Sequence, residues 1–148
     1  MQSQIVMLLN AALTSINELV QVTTDKPSLV LAPILQTDYG VLVGITGNLK
    51  GRLFITGTKA MFEKAGIAMY GMQLTDDMLE SFVGEFGNSV AGHTATRLYN
   101  QGMTIDITPP TTMMGTVRLG GFSRALQVPF LLGNDPVADG QLVLAVEE

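Results

Sequence analysis

The chain contains no cysteine and no tryptophan, a single histidine, and few charges of either sign. Without cysteine, disulfides and thiolate metal sites are excluded, and a reducing cytoplasm fits although this count does not demand it. Lys and Arg total 8 against 13 Asp and Glu, for a formal net charge of −5. That balance supplies no basic stripe to track a phosphate backbone, so nucleic acid is not an expected partner. Long apolar runs are missing too: nothing approaches the roughly 18–20 consecutive apolar residues of a membrane span. The opening Met1-Gln2-Ser3-Gln4 lacks the basic residues of a secretory signal, and the apolar stretch from Ile5 to Leu13 is interrupted by Asn10 before reaching Asn17 and Glu18. The expectation is a soluble, cytoplasmic protein with no membrane partner and no metal site of its own.

What is present is core-forming material. Hydrophobic residues make up 47% of 148 residues while charged residues are only 14%, enough to fill one hydrophobic core and to leave apolar surface over for subunit contact. One domain over residues 1–148 and a homo-oligomer are therefore expected. Apolar positions at Ile5, Leu8, Leu9, Ala12, Leu13, Ile16, Leu19 and Val20 keep the helical period, predicting a first helix over residues 2–21. Ser28–Thr37 and Val41–Thr46 are rich in Val, Leu and Ile around a Thr-Asp-Tyr-Gly segment, which predicts a hairpin. Gly47-Asn48-Leu49-Lys50-Gly51 predicts a second turn, leading into a strand at Arg52–Thr56. A short helix over Thr58–Met69 and a long one over Asp76–Asn100, capped by Thr75 and closed near Gly102, follow from spacing and cap residues. Four more strands are expected at Met103–Thr108, Met113–Leu119, Ser123–Leu132 and Gly140–Val146, separated by Pro109-Pro110, Gly120-Gly121 and Asn134-Asp135-Pro136. Strands joined by hairpins, with helices in blocks and no βαβα alternation, predict a two-layer α+β fold with helices packed on an antiparallel sheet.

The long helix carries the chemistry. At about 100° per residue, Leu79, Phe82, Val83, Phe86 and Val90 form one apolar stripe, and Ser81, Glu85 and Asn88 fall together on the opposite side at i, i+4 and i+7. Such a triplet alone also suits an ordinary solvated face. Gly84, Gly87 and Gly92 lie inside this helix although each costs about 1 kcal/mol relative to Ala. Two reasons would retain them: close approach of another backbone beside Glu85, Asn88 and Gly92, or tight packing on the helix's own sheet, which suits Gly87 better.

The segment Ser81-Phe-Val-Gly-Glu85-Phe-Gly-Asn88, continuing as Ser-Val-Ala-Gly92 and later reaching Pro109-Pro110-Thr-Thr-Met-Met-Gly115, resembles the CheC/CheX/FliY family of chemotaxis phosphatases, most closely its CheX-like branch. The family pattern is Asp or Ser, Glu at i+4, Asn at i+7, and a proline further on. The duplicated proline leaves the register at that last position open. Placing Asn10 over Asn88 sets Leu8 on Phe86, Ala12 on Val90, and Met7 where Glu85 stands. If the family's pseudo-symmetry reflects a duplication, only the second copy keeps the carboxylate, and one site per chain is expected.

The resemblance implies a phosphatase acting on the aspartyl phosphate of a CheY-like response regulator, in chemotaxis or another two-component pathway, and a homodimer. An acyl phosphate held by the regulator's own Mg²⁺ already has much of its charge stabilised, so the helper needs to place water and no cofactor of its own. A side-chain amide offers a donor and an acceptor and can orient water in line with the P–O bond; Asn88 is the candidate. The resemblance assigns Glu85 to a regulator lysine and Ser81 to the partner interface, and Gly92, which turns onto the same side as Asn88, is a further candidate for partner binding. Two other readings stand beside this one: a non-catalytic receiver-binding or scaffold module of the same fold, and a structural dimerisation domain. Elsewhere, His93 is expected near the apolar stripe as a core histidine, and Asp76, Asp77 and Glu80 to answer the helix dipole. The nine methionines are expected mostly to fill core gaps, and Pro109-Pro110 to end a strand.

Overall fold

The computed structural model describes residues 3–30, 34–118 and 125–147. Among the described residues three helices and eight strands occur in the order α1 (Gln4–Leu19), β1 (Val22–Thr24), β2 (Ser28–Val30), β3 (Ile34–Gly47), β4 (Gly51–Gly57), α2 (Lys59–Tyr70), α3 (Asp76–Asn100), β5 (Ile105–Ile107), β6 (Thr111–Arg118), β7 (Ala125–Leu132) and β8 (Asp139–Val146). All strand pairs are antiparallel and form one sheet ordered β1-β7-β8-β4-β3-β5, with β2 also on β7 and β6 also on β3. The predicted α+β layering is therefore the observed one.

Each helix begins where its sequence supplies an acceptor. Ser3, Thr58 and Thr75 take hydrogen bonds from the backbone N–H of Val6, Met61 and Met78, satisfying donors that a helix start leaves without partners. α2 stops at Gly71, whose φ of 71° few side chains tolerate and whose N–H donates to Ile67 O at 2.8 Å. The main core lies between sheet and helices, joining Leu8, Ala12 and Ile16 of α1 to Leu79, Phe86 and Val90 of α3 and Leu53, Ile55, Leu142 and Leu144 of the sheet. β4 and β8 pair at the centre and are buried on both faces through most of their length, because Phe54, Val143 and Ala145 form a second, smaller core on the far side.

The structure corrects the predicted hairpin at residues 28–46. Residues 34–47 form one continuous strand, and β2 pairs with β7 instead. Thr37 faces Gly115 and Gly40 faces Met113, so β3 spends one residue more than β6 across this step: the Thr-Asp-Tyr-Gly segment is a bulge, not a turn. Gly115 accommodates it at φ 94°, and Val30, Leu42, Met113 and Val117 close over the smaller core that the bent strand shelters. The predicted β3–β4 turn is present, and Gly47 is needed there: its φ is 105° and a Cβ would stand 2.7 Å from Thr104 O. The first helix ends at Leu19, followed by the unpredicted β1, and the strand expected at Met103–Thr108 shortens to β5. Leu119, Gly120-Gly121 and Ser123 lie outside the described residues.

Strand order reveals an internal two-fold. Exchanging α1 with α3, β1 with β5, β2 with β6, β3 with β7 and β4 with β8 maps every pairing onto another: β1 and β2 on β7 become β5 and β6 on β3, and the central β4–β8 pair maps onto itself. α2 has no counterpart in the exchange. It packs against α3 and against the sheet through β7, β4 and β8.

Candidate functional site

α3 is held along its length by the burial of Leu79, Phe82, Val83, Phe86 and Val90, the stripe predicted from its period. Phe82 and Phe86 join an aromatic relay, with Phe62 edge-on to Phe86 at 5.9 Å and Tyr70 edge-on to Phe82 at 5.5 Å. Ser81 and Glu85 are exposed on the outer side of the helix, and Asn88 and Gly92 are half-buried beside them. Their spacing puts all four on one line, and Tyr99, seven residues beyond Gly92, continues it. Ser89 donates a hydrogen bond to Glu85 Oε1 at 3.4 Å, which steadies one oxygen of this exposed carboxylate. Among the described residues nothing bonds to the Asn88 amide, so both its donor and its acceptor are available.

The glycines divide by cause. A methyl at Gly87 would overlap the side chain of Val41 on β3, so this glycine lets the helix lie close on the sheet. At Gly84 a Cβ would come within 3.3 Å of Thr112 and 4.0 Å of Pro110, placing the Pro109-Pro110 connection between β5 and β6 alongside the helix near Glu85. Gly92 has nothing within 4 Å of where its Cβ would be. The fold described here therefore gives no reason for a glycine there.

His93 departs from expectation, for it is exposed. The first part of α3 buries Leu79, Phe82, Val83, Phe86 and Val90, but its last turns bury Ala91, Thr94 and Leu98. At about 100° per residue the buried stripe has turned by roughly 90°. At this end of the helix Arg97 pairs with Glu18 of α1. A single period extrapolated from the first half therefore misplaces His93. Most of the described methionines fill core gaps as expected: Met61 and Met103 are buried and Met7, Met69 and Met113 pack against the cores, while Met72, Met78 and Met114 are exposed. Asp76 and Asp77 do occupy the first turn of α3, and Asp76 pairs with Lys59 at 3.0 Å. That pairing, first through its hydrogen bond and then through its charge, raises the Lys59 pKa above the ordinary 10.5.

Beside Ser81 and Glu85 lies a hollow of about 470 Å³ that the sequence did not disclose. Leu74 and Phe82 are buried beneath it, and Tyr70, Met72 and Met78 surround it at 51%, 52% and 43% exposure. It exists because α2 and the loop after Gly71 fold back onto the start of α3, with Leu74 packed so closely on Gly66 that a Cβ there would meet it at 2.7 Å.

A profile of the family described as Chemotaxis phosphatase CheX matches residues 39–130, which include all of α3 and the Pro109-Pro110 connection. The chain belongs to the CheX family of chemotaxis phosphatases. It is 32% identical over 110 residues to the CheY-P phosphatase CheX of Thermotoga maritima, an alignment covering 72% of this chain and 71% of that protein. Its fold matches a chemotactic CheC-like protein from Shewanella oneidensis at a TM-score of 0.81, with 19% identity over 96% of this chain and 99% of that one. It also matches CheX in a complex with CheY, BeF₃ and Mg²⁺ from Borrelia burgdorferi, at a TM-score of 0.76 and 24% identity, covering 99% of both chains. In the half related to α3 by the internal two-fold, Asn10 is exposed on α1, Met7 is half-buried, and Ser3 sits at the cap.

Proposed function

We propose that this CheX-family chain accelerates hydrolysis of the aspartyl phosphate on a CheY-like receiver domain, with Asn88 placing the attacking water and Glu85 holding a receiver lysine. The observation that carries this reading is the pairing of an outward carboxylate with an unengaged amide on one face of a helix anchored by its buried stripe. Water would attack phosphorus in line as the bond to the aspartate oxygen breaks, releasing inorganic phosphate and the free carboxylate. The amide's carbonyl would accept from that water while its N–H₂ donates to a phosphoryl oxygen, fixing the angle of attack without titrating. Glu85 would draw the lysine into a charge-assisted hydrogen bond and bring the amide to the phosphoryl group. Mg²⁺ would come with the receiver, and no group is needed from this chain to supply its charge.

Retention of both Glu85 and Asn88 favours a phosphatase over a non-catalytic binding module. The reading places the protein in the cytoplasm with its partner. Among the described residues no helix is long and apolar enough to cross a membrane. A homodimer belongs to the same proposal. β6 is paired on β3 and carries the exposed Met114, so it offers an edge for a second copy; sedimentation velocity would give the mass directly.

The deciding experiment follows decay of a purified phosphorylated receiver in Mg²⁺ with and without the chain. Asn88→Ala should return decay to near the spontaneous rate, a loss of about a hundredfold in kcat from a misplaced water, while binding survives. Glu85→Ala should weaken both binding and rate. No acceleration by the wild type across several candidate receivers would exclude the phosphatase reading.

A further inference from the structure

The hollow beside Glu85 is preformed. Gly71 ends α2 with its N–H bonded to Ile67, Thr75 caps α3, and Leu74 between them is buried against Gly66, so the loop carrying Met72 is fixed at both ends. Below it, the edge-on contact of Tyr70 with Phe82 sets the position of one wall. Three large apolar side chains around a single cavity are each about half exposed, although burying such a side chain is worth roughly 1.5–3 kcal/mol. The rim is one-sided in charge: Asp77 and Glu85 border it, and among the described residues no lysine or arginine does. Ser81 and Glu85 line the hollow and also belong to the Glu85–Asn88 face, so anything seated on that face reaches the cavity without crossing open surface.

We propose that this hollow receives an apolar side chain of the receiver domain that neighbours a basic residue, and that Tyr70, Met72 and Met78 thereby set affinity for the phosphorylated partner. The inference rests on the receiver reading above and adds a subsite that the Glu-Asn pair does not contain. An apolar insert buried here anchors the partner one helical turn from Glu85, while Asp77 and Glu85 complement positive charge flanking it. Methionine suits such a wall, since its unbranched, polarisable side chain adapts to a partner's shape.

The test titrates phosphorylated receiver against wild type, the double variant Met72→Ser/Met78→Ser, and Ile67→Ser, an exposed α2 position that does not line the hollow. Direct binding is measured in parallel with a receiver held active by beryllium fluoride and Mg²⁺. The double variant should raise KM and Kd about tenfold at unchanged kcat, as truncation of interface anchors does, and Ile67→Ser should match wild type. Tyr70→Leu, which keeps an apolar wall while giving up the ring, provides a second variant should the double one fold poorly, and should raise KM by a smaller factor. Unchanged KM and Kd, or a fall in kcat alone, overturns the subsite while leaving the Glu85–Asn88 reading intact. A wild-type chain that neither binds nor accelerates overturns both.

Discussion

Gly92 offers the most economical test of the proposed site. It sits on the line of Ser81, Glu85 and Asn88 with open space where a Cβ would be, and a helix-interior glycine costs about 1 kcal/mol relative to alanine. Gly92→Ala should therefore stabilise the isolated chain by about 0.5–1 kcal/mol, and thermal unfolding should move up by roughly 2–4 °C per kcal/mol. If the glycine is kept for the close approach of a receiver, the same variant should raise KM for phosphorylated receiver. A stabilised variant with unaltered KM would remove Gly92 from the interface and leave no structural account of it. Asn88 contrasts with it: its amide is half-buried and unengaged among the described residues, so Asn88→Ala should leave thermal stability within about 0.5 kcal/mol of wild type while removing the acceleration.

At the scale of elements, α3 is precise because the sheet holds it close. Gly87 is where that closeness is enforced, and Gly87→Ala must push the helix away from Val41 or distort β3. A destabilisation of about 1–3 kcal/mol is expected in denaturant unfolding, as for other overpacked sites. Because Asn88 is the next residue, kcat should also fall although no reacting group has changed. The caps, the apolar stripe and the shared face of Glu85 and Asn88 are legible in the sequence because each follows from local spacing within one helix. The bulge at Asp38-Tyr39 is not, since Thr-Asp-Tyr-Gly satisfies the residue preferences of a turn and only pairing with distant β6 makes it part of a strand. His93 is misplaced for a related reason: the buried face of α3 turns along its length, which one helical period cannot anticipate. The hollow was hidden because its walls come from α2, a loop and α3, and Met72 and Met78 look no different in sequence from the buried Met61.

Across the whole molecule, the two-fold relation supplies an experiment on what a working site needs. Placing Asn10 over Asn88 in the sequence sets Met7 over Glu85, so Met7→Glu would give the first half a Glu-Asn pair at the same spacing. The surroundings differ, however. Ser3 caps α1 at the position where Ser81 is already in the second turn of α3, and the hollow built by α2 lies beside α3. If the pair alone sufficed, Met7→Glu in an Asn88→Ala background would restore acceleration of receiver dephosphorylation. If docking through the hollow is also required, the double variant should remain at the spontaneous rate, although Met7 is only half-buried and the helix should accept the charge. Recovery of turnover would mean that two side chains on any exposed helix of this fold make a phosphatase. Continued inactivity, with the fold intact by circular dichroism, would place the difference between the halves in the element that only one of them has.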